Sequence, residues 1–391
     1  MRKLLLLWSL LMFILVLKAA HDPASTLAFT SLLAASDPTP TPLPTWQQEW
    51  EKTLAAAKRE GKVSVAGSPG TEQRRGLVEP FQAAFPGIAV NFIGAAGGPH
   101  VSRITTERKA GKYTVDVYIG GPSPAVEVLA PAGVFDPMEP ALIIPDVKDP
   151  SKWVGPVGGG GFDFVDGEGK YYLAFGRHAI DAFIYNSNLV DPGEFLSYWD
   201  LTQPKWKGKI VMYDPTIPGP GTGRISFYYN HTSLGPSFLK ALLNPDHKVV
   251  FSRDDRQMVE WVGRGQYAIG IGIDWDTFNR FANVLPLRPQ DPTRLKEGGY
   301  VSSGWTNIAL VNRAPQPNAA KIYINWLLSR DGQTQYSSIS KEASARLDVP
   351  TNHLHPLSVP KRGVAYMRTY DRKILQTRDA ATALVREIAG K

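Results

Sequence analysis

The side chains in this sequence best suited to gripping a small charged molecule are Arg177 and His178 in FGRHAIDAF, Arg224 in PGPGTGR, and the acid–aromatic run Asp274-Trp275-Asp276. A guanidinium fork matches the two oxygens of a carboxylate or phosphonate, while carboxylates beside an indole suit an ammonium or thiazolium-like cation. Each has a structural counter-role: Arg177 as an ion-pair partner, Asp274 as a helix cap, Trp275 as a core anchor. Chemistry that breaks bonds finds less support. The chain has no cysteine, which excludes disulfides, thiolate metal sites and a cysteine nucleophile. Its seven histidines form no HExxH, and the sequence has neither a GxSxG elbow nor a GxxxxGK[ST] loop.

These residues are set among alternating strands and helices. Gln47 to Glu60 reads as a helix stopped by Gly61, Lys62 to Ala66 as a strand, and the segment from Thr71 to about Phe85 as a second helix ended by Pro86-Gly87. Ile88 to Ile93 and Val115 to Ile119 are strands, with a helix over Val101 to Ala110 between them. The loops after the three strands, Gly67 to Thr71, Gly94 to Pro99 and Gly120 to Ser123, are small and glycine-rich, so a ligand can approach backbone N–H groups. A second α/β unit follows. Its strands are Ala179 to Tyr185, Lys209 to Tyr213 and Tyr267 to Ile273, and its helices Arg224 to Asn230, Ser237 to Leu243 and Arg253 to Gly263. Thr306 to Val311 is a further strand and Asn318 to Ser329 a helix. This alternation predicts an α/β fold with mixed sheets flanked by helices, and the length predicts two lobes.

Arg2 and Lys3 precede an apolar run from Leu4 to Leu17, the pattern of an export signal or N-terminal anchor, with small residues at Ala34-Ala35-Ser36 for cleavage. Residues 37–45 (DPTPTPLPT) form a Pro/Thr spacer that holds a folded body away from a membrane. The net charge is +7. Its surplus lies in residues 341–391, where Val364, Met367, Tyr370, Ile374, Ala381, Leu384 and Ile388 predict one amphipathic helix with a solvated basic face. No nucleic-acid partner is expected from that pattern.

A series of strings resembles the extracellular solute-binding proteins of ABC importers, in the ferric-ion, phosphonate and thiamine branch with the type II periplasmic-binding fold. Tyr198-Trp199-Asp200-Leu201 followed by Pro204 to Ile210 and Asp214-Pro215 is the most specific. Others are Pro80 to Gly87, Val115 to Ile119, Glu260 to Gly270, Asn307 to Ala320 and Asn325 to Gln335, spread in order over residues 62–350.

The resemblance implies two lobes joined by hinge strands, with 46–176 and 304–345 in lobe one and 177–303 and 346–391 in lobe two, closing on a solute. It places an anion-binding helix start at Pro218 to Arg224, where Thr222 and the backbone of Gly221, Gly223 and Arg224 would hold a negative oxygen. Facing loops would add Ser68, Thr71, Gly121 and Ser123. Arg177 at the crossing, Asp274 and Trp275, and Arg346 near the hinge complete the expected ligand set. Iron-binding members carry a tyrosine pair after the strand matching Tyr267 to Ile273. This chain has Asp274-Trp275-Asp276-Thr277-Phe278 there, and Tyr171-Tyr172 and Tyr228-Tyr229 fall where packing is expected. Bare ferric ion is therefore disfavoured, and a chelated ion stays open. No cofactor and no protein-held metal are expected. The expected function is capture of a small anionic or zwitterionic solute outside the cytoplasmic membrane by a monomer, tethered or free, that delivers it to an importer permease. The alternatives are a glycan-binding or adhesion protein, against which Trp199, Trp206, Trp261 and Trp326 are expected to be core, and a secreted hydrolase.

Overall fold

The computed structural model describes residues 43–156, 160–217 and 219–390; the export segment, most of the spacer and Pro218 lie outside the described residues. By contacts the chain divides after Gln48, and apart from the first turn of the opening helix everything below concerns the unit that begins at Glu49.

Helix α1 (Thr45–Glu60) ends at Gly61, whose φ of 73° turns the chain into β1 (Lys62–Gly67). Then come α2 (Thr71–Ala84), β2 (Ala89–Gly94), α3 (Gly97–Lys109) and β3 (Val117–Gly120). Short strands β4 (Phe135–Asp136), β5 (Asp163–Phe164) and β6 (Leu173–Ala174) complete the first pass. The chain then crosses through β7 (His178–Ala179) into β8 (Ile184–Asn186), β9 (Ile210–Tyr213), α4 (Pro220–Asn230), α5 (Gly235–Leu242), β10 (Val250–Ser252), α6 (Asp255–Gly263), β11 (Ile269–Ile271), α7 (Trp275–Phe281) and β12 (Leu287–Pro289). It returns through β13 (Gly299–Ser302) to β14 (Asn307–Val311), α8 (Pro317–Leu328) and α9 (Arg330–Ser340), and ends in β15 (Tyr366–Arg368) and α10 (Arg378–Ile388).

The first sheet runs β2-β1-β3-β14-β6-β5, with β4 also on β14; β1 to β3 are parallel and β14 is antiparallel to β3. The second runs β10-β9-β11-β8-β12, parallel from β10 to β11 and antiparallel beyond. The central strands β1, β3, β14, β9 and β11 are buried almost throughout and largely apolar, whereas the edge strand β2 is half-buried or exposed along its length and β12 exposes Arg288. Val63, Val65 and Ile308 pack with Phe81, Tyr323 and Trp326 from α2 and α8, whereas Ile210, Met212 and Ile269 pack with Phe227 and Phe238 from α4 and α5. The crossing segments are themselves paired. β7 is antiparallel to β13, and β15 lies parallel on β13's other edge, giving a three-stranded ribbon between the two sheets.

Four expectations change. Ala179 to Tyr185 is not one strand but β7 and β8, parted where Asp181 turns to pair with Arg224. Gly97-Gly98-Pro99 belongs to the first turn of α3 rather than to a loop; a Cβ on Gly97 would lie 2.4 Å from the Pro124 ring, so only glycine fits there. The single C-terminal helix is broken: Met367 lies in β15, Tyr370 donates its hydroxyl to the buried Asp163 at 2.7 Å, and Asp371 caps a new helical start through Lys373. Only Ala381, Val385 and their neighbours pack as a helix stripe, against the second core. Trp206 and Trp326 are buried, but Trp199 is 36% exposed, packed edge-on against Phe238 with its indole N–H on the Ser233 carbonyl.

Candidate functional site

A cleft of about 760 Å³ opens between the two sheets, floored by the crossing ribbon through His178, Ile180, Tyr300 and Ser302. Its first wall is the start of α2, where β1 ends at Gly67 and Gly70-Thr71 turns the chain into the helix. The Gly70 cap has no side chain to accept from that turn, and the first intrahelical bond is Arg74 N to Gly70 O at 3.0 Å. The N–H groups of Thr71, Glu72 and Gln73 thus point out of the helix with the positive end of its dipole. The opposite wall is the start of α4, with Gly219, Pro220 and Gly223 on the cleft and again no capping side chain.

Five of the twelve expected residues face the cleft: Thr71, Gly223, Arg224, Asp274 and Trp275. The other seven lie elsewhere, and most have polar groups bonded internally. Ser68 accepts from the Gly70 N–H at 3.2 Å, Gly121 is the turn whose carbonyl accepts from Tyr172 at 3.3 Å, and the Ser123 hydroxyl accepts from Arg378. Arg177 is buried and donates to the Gly155 carbonyl at 2.8 Å. Gly221 lets α4 lie on β9, since a Cβ there would be 2.3 Å from the Tyr213 carbonyl, and the Thr222 hydroxyl donates to the Ile217 carbonyl at 2.7 Å. Arg346 is locked between Asp348 at 2.8 Å and Asp146 at 3.0 Å, caps the Leu328 carbonyl and does not line the cleft.

Of the five that do face the cleft, two are also committed. Arg224 spends both terminal nitrogens on Asp181 and the Ala182 carbonyl, so it is no free clamp. Asp274 is a helix cap: one oxygen takes the Thr277 N–H and the other its hydroxyl, both at 2.9 Å. The side chain of Asp276 lies outside the described residues. Trp275 stacks on His355 with centroids 4.7 Å apart and donates to the Ala179 carbonyl. Burial holds the His355 imidazole below its usual value, so near neutral pH it is uncharged.

Residues absent from the expected set complete the cleft. His178 reaches Glu342 at 3.3 Å; Tyr300, Trp305 and Lys341 stand nearby. The cleft carries charge of both signs, with Lys341 and Arg280 on its walls as well as Glu72 and Glu342. A signal was available for Asp181, an acid alone in the apolar run AIDAFIY, and none for Trp305, beside the return crossing, or Lys341, the left-handed residue that ends α9. Tyr172 is spent on the Gly120 carbonyl at 2.6 Å and Tyr228 is wholly buried. Among the described residues no group of three or more His, Asp and Glu is placed to hold a metal.

Asp255, behind Asp274, gives the site a pH signature. Burial first, then the Asp274 charge, pushes its carboxyl up to about 7, although it accepts from the Asp274 N–H. Between the ordinary aspartate value of about 4 and that point, the folded protein keeps a proton the unfolded chain has lost. Stability therefore declines as pH rises through this window and levels off above it. Asp255→Asn is expected to raise the melting temperature at pH 8 by about 2–4 °C, from roughly 1 kcal/mol, and to leave it unchanged at pH 4. Equal shifts at both pH values in thermal unfolding would remove the carboxylate as the cause.

Two lobes with mixed sheets, joined by a paired ribbon that floors the cleft between them, define a type II periplasmic binding protein. The model for the bacterial extracellular solute-binding protein family matches residues 67–334, and the chain belongs to that family. A Salmonella typhi protein named as a 2-aminoethylphosphonate-binding periplasmic protein, an assignment its name marks as provisional, is 25% identical over 278 residues, 69% of this chain and 73% of that one. Among solved structures, Trichodesmium IdiA (FutA) with iron and citrate matches with a TM-score of 0.64 at 20% identity, over 85% of this chain and 100% of its own. AfuA of Actinobacillus pleuropneumoniae with fructose-6-phosphate matches at 0.59 and 18%, over 85% and 98%. These structural matches carry the fold. The relatives are binding proteins rather than enzymes. Among the described residues no helix is long and apolar enough to cross a membrane.

Proposed function

We propose that this protein captures a small organic solute bearing a phosphonate or phosphate group and delivers it, unchanged, to the permease of an ABC importer. The observation that carries this reading is the pair of uncapped helix starts, α2 and α4, facing one cleft from opposite sheets. Closing the cleft would bring the first-turn N–H groups of α2 and the positive dipole ends of both helices onto one oxyanion; in α4 Pro220 has no N–H and the Thr222 N–H is bonded to the Gly219 carbonyl at 3.1 Å, so that side acts mainly through its dipole. The relative named for 2-aminoethylphosphonate and the neighbour holding a sugar phosphate fit that chemistry. On this reading Thr71 and Gly223 hold the oxyanion. Lobe one comprises 46–176 and the return segment from 304, extended past 345 because Arg346 bonds Asp146 and Leu328; lobe two comprises 177–303 with the remainder of the tail. The protein works as a monomer outside the cytoplasmic membrane, tethered or released through its first 36 residues.

Thermal unfolding against phosphate, alkylphosphonates, sugar phosphates, small carboxylates, thiamine and ferric citrate tests this. A cognate solute at 100 times its Kd should stabilise the fold by roughly 2.7 kcal/mol. A shift with ferric citrate alone, or with carboxylates alone, would overturn the phosphonate or phosphate assignment.

A further inference from the structure

Asp181 lies on the cleft floor, where the first crossing strand gives way to β8, and is 2% exposed. Its two carboxylate oxygens are treated differently. Oδ1 accepts from Arg224 Nη2 at 2.9 Å, and the residue's own carbonyl takes Nη1, but Oδ2 is buried with no donor. A buried ion pair offsets its desolvation only when the remaining lone pairs and protons are also bonded. A buried acceptor left open pays its full desolvation penalty, so such atoms have partners in working molecules.

The groups packed around Asp181 do not supply that partner. Arg224 is committed as described. Tyr198 and Tyr228 are wholly buried with hydroxyls that meet no partner, and Tyr300 stacks against Phe227 and lies under the Arg224 guanidinium. His355 is near enough for its charge to feel Asp181, but it is neutral, and its Nδ1 accepts from the Leu357 N–H. Trp275, Tyr300 and Trp305 line the same space with aromatic surface. An acidic oxygen among indole and phenol rings is an environment for an amine cation, not for a second anion.

We infer that Asp181 Oδ2 receives a cationic amine of the solute, so that the cognate class is a zwitterion, amine and oxyanion on one small molecule, with Asp181 as the residue that selects for the amine. This rests on the oxyanion reading of the same cleft and adds its second pole. It also moves the ammonium role from Asp274, whose oxygens are spent on Thr277, to an acid with one oxygen open.

Calorimetric titration of the full chain with 2-aminoethylphosphonate, ethylphosphonate and ethanolamine separates the poles. The aminated phosphonate should bind about 30-fold tighter than ethylphosphonate, the worth of one charge-assisted hydrogen bond. Asp181→Asn, which keeps an acceptor for Arg224, should cut that ratio to about threefold or less. If that variant does not fold, the paired change Asp181→Asn with Arg224→Met removes both buried charges, and the wild-type ratio stands as an independent measure. Equal affinity for the two phosphonates would overturn the amine subsite and leave the oxyanion reading intact. Binding of ethanolamine without either phosphonate would keep Asp181 and overturn the oxyanion reading; binding of none of the three would overturn both.

Discussion

Gly223→Asp should abolish oxyanion binding, weakening it at least about 100-fold, while the melting temperature stays within about 2 °C of the parent. The two halves of this result have separate causes. Gly223 is on the cleft at the second residue after Gly221, and a Cβ there meets nothing closer than the Tyr300 hydroxyl at 3.7 Å, an ordinary contact. The helix start of α4 has no capping side chain, so a carboxylate near it interacts favourably with the dipole and does not disturb the fold. The same carboxylate then occupies the positive end meant for the solute and repels it. Two unit charges about 4 Å apart cost roughly 4 kcal/mol at an effective dielectric of 20, more than the two decades require. Gly223→Asn, equal in size but neutral, should keep most of the affinity. Calorimetric titration with 2-aminoethylphosphonate, with circular dichroism to follow unfolding, reads both. If Asp and Asn variants lose affinity equally, the loss is steric and the helix start is not the anion site.

The parts of this architecture that depend on local rules were open to reading from sequence. Gly61, Pro86-Gly87 and Gly111 punctuate helices, the runs KVSVA and IGI are apolar enough to be central strands, and both sheets emerge from them. What escaped depends on partners far along the chain. Asp181 interrupts an apolar run that looks like one strand; the reason it does so is Arg224, 43 residues later. The apolar spacing from Val364 to Ile388 fits a helix, but Tyr366 to Arg368 find an edge of β13 and Tyr370 finds Asp163, so pairing overrides periodicity. The site divides the same way. A glycine-rich helix start announces itself through backbone chemistry, and Thr71 and Gly223 reach the cleft. An arginine does not announce its partner. Arg177, Arg224 and Arg346 look alike as anion ligands, yet each is bonded to internal carbonyls or carboxylates, because a buried guanidinium is drawn to the acceptors the fold places beside it.

Arg346 provides the sharpest contrast between these roles. Arg346→Met should destabilise the protein by about 2–4 kcal/mol while leaving solute affinity within about twofold, measured well below the melting transition. The side chain is wholly buried, with its guanidinium over the Trp153 ring at 5.5 Å. Its nitrogens bind Asp348 through two bonds, at 2.9 and 2.8 Å, and reach Asp146 and the Leu328 carbonyl at the end of α8. The backbone of Arg346 also bridges Trp153. Methionine fills much of the volume but supplies none of these donors, so the Leu328 carbonyl and two carboxylates lose their partner together. The cost stays below that of a fully buried pair because Asp146 and Asp348 keep 44% and 26% exposure and can be rehydrated. The guanidinium also holds the Asp348 carboxyl below the usual range, so the part of the stability that comes from this pair is present at neutral pH and is lost as the medium is acidified through that lowered value. Arg346→Met should therefore differ most from the parent near neutral pH and converge on it in acid. A variant that melts like the parent but fails to bind would place Arg346 at the solute instead, and would require the cleft to extend to a residue that now sits behind Trp153.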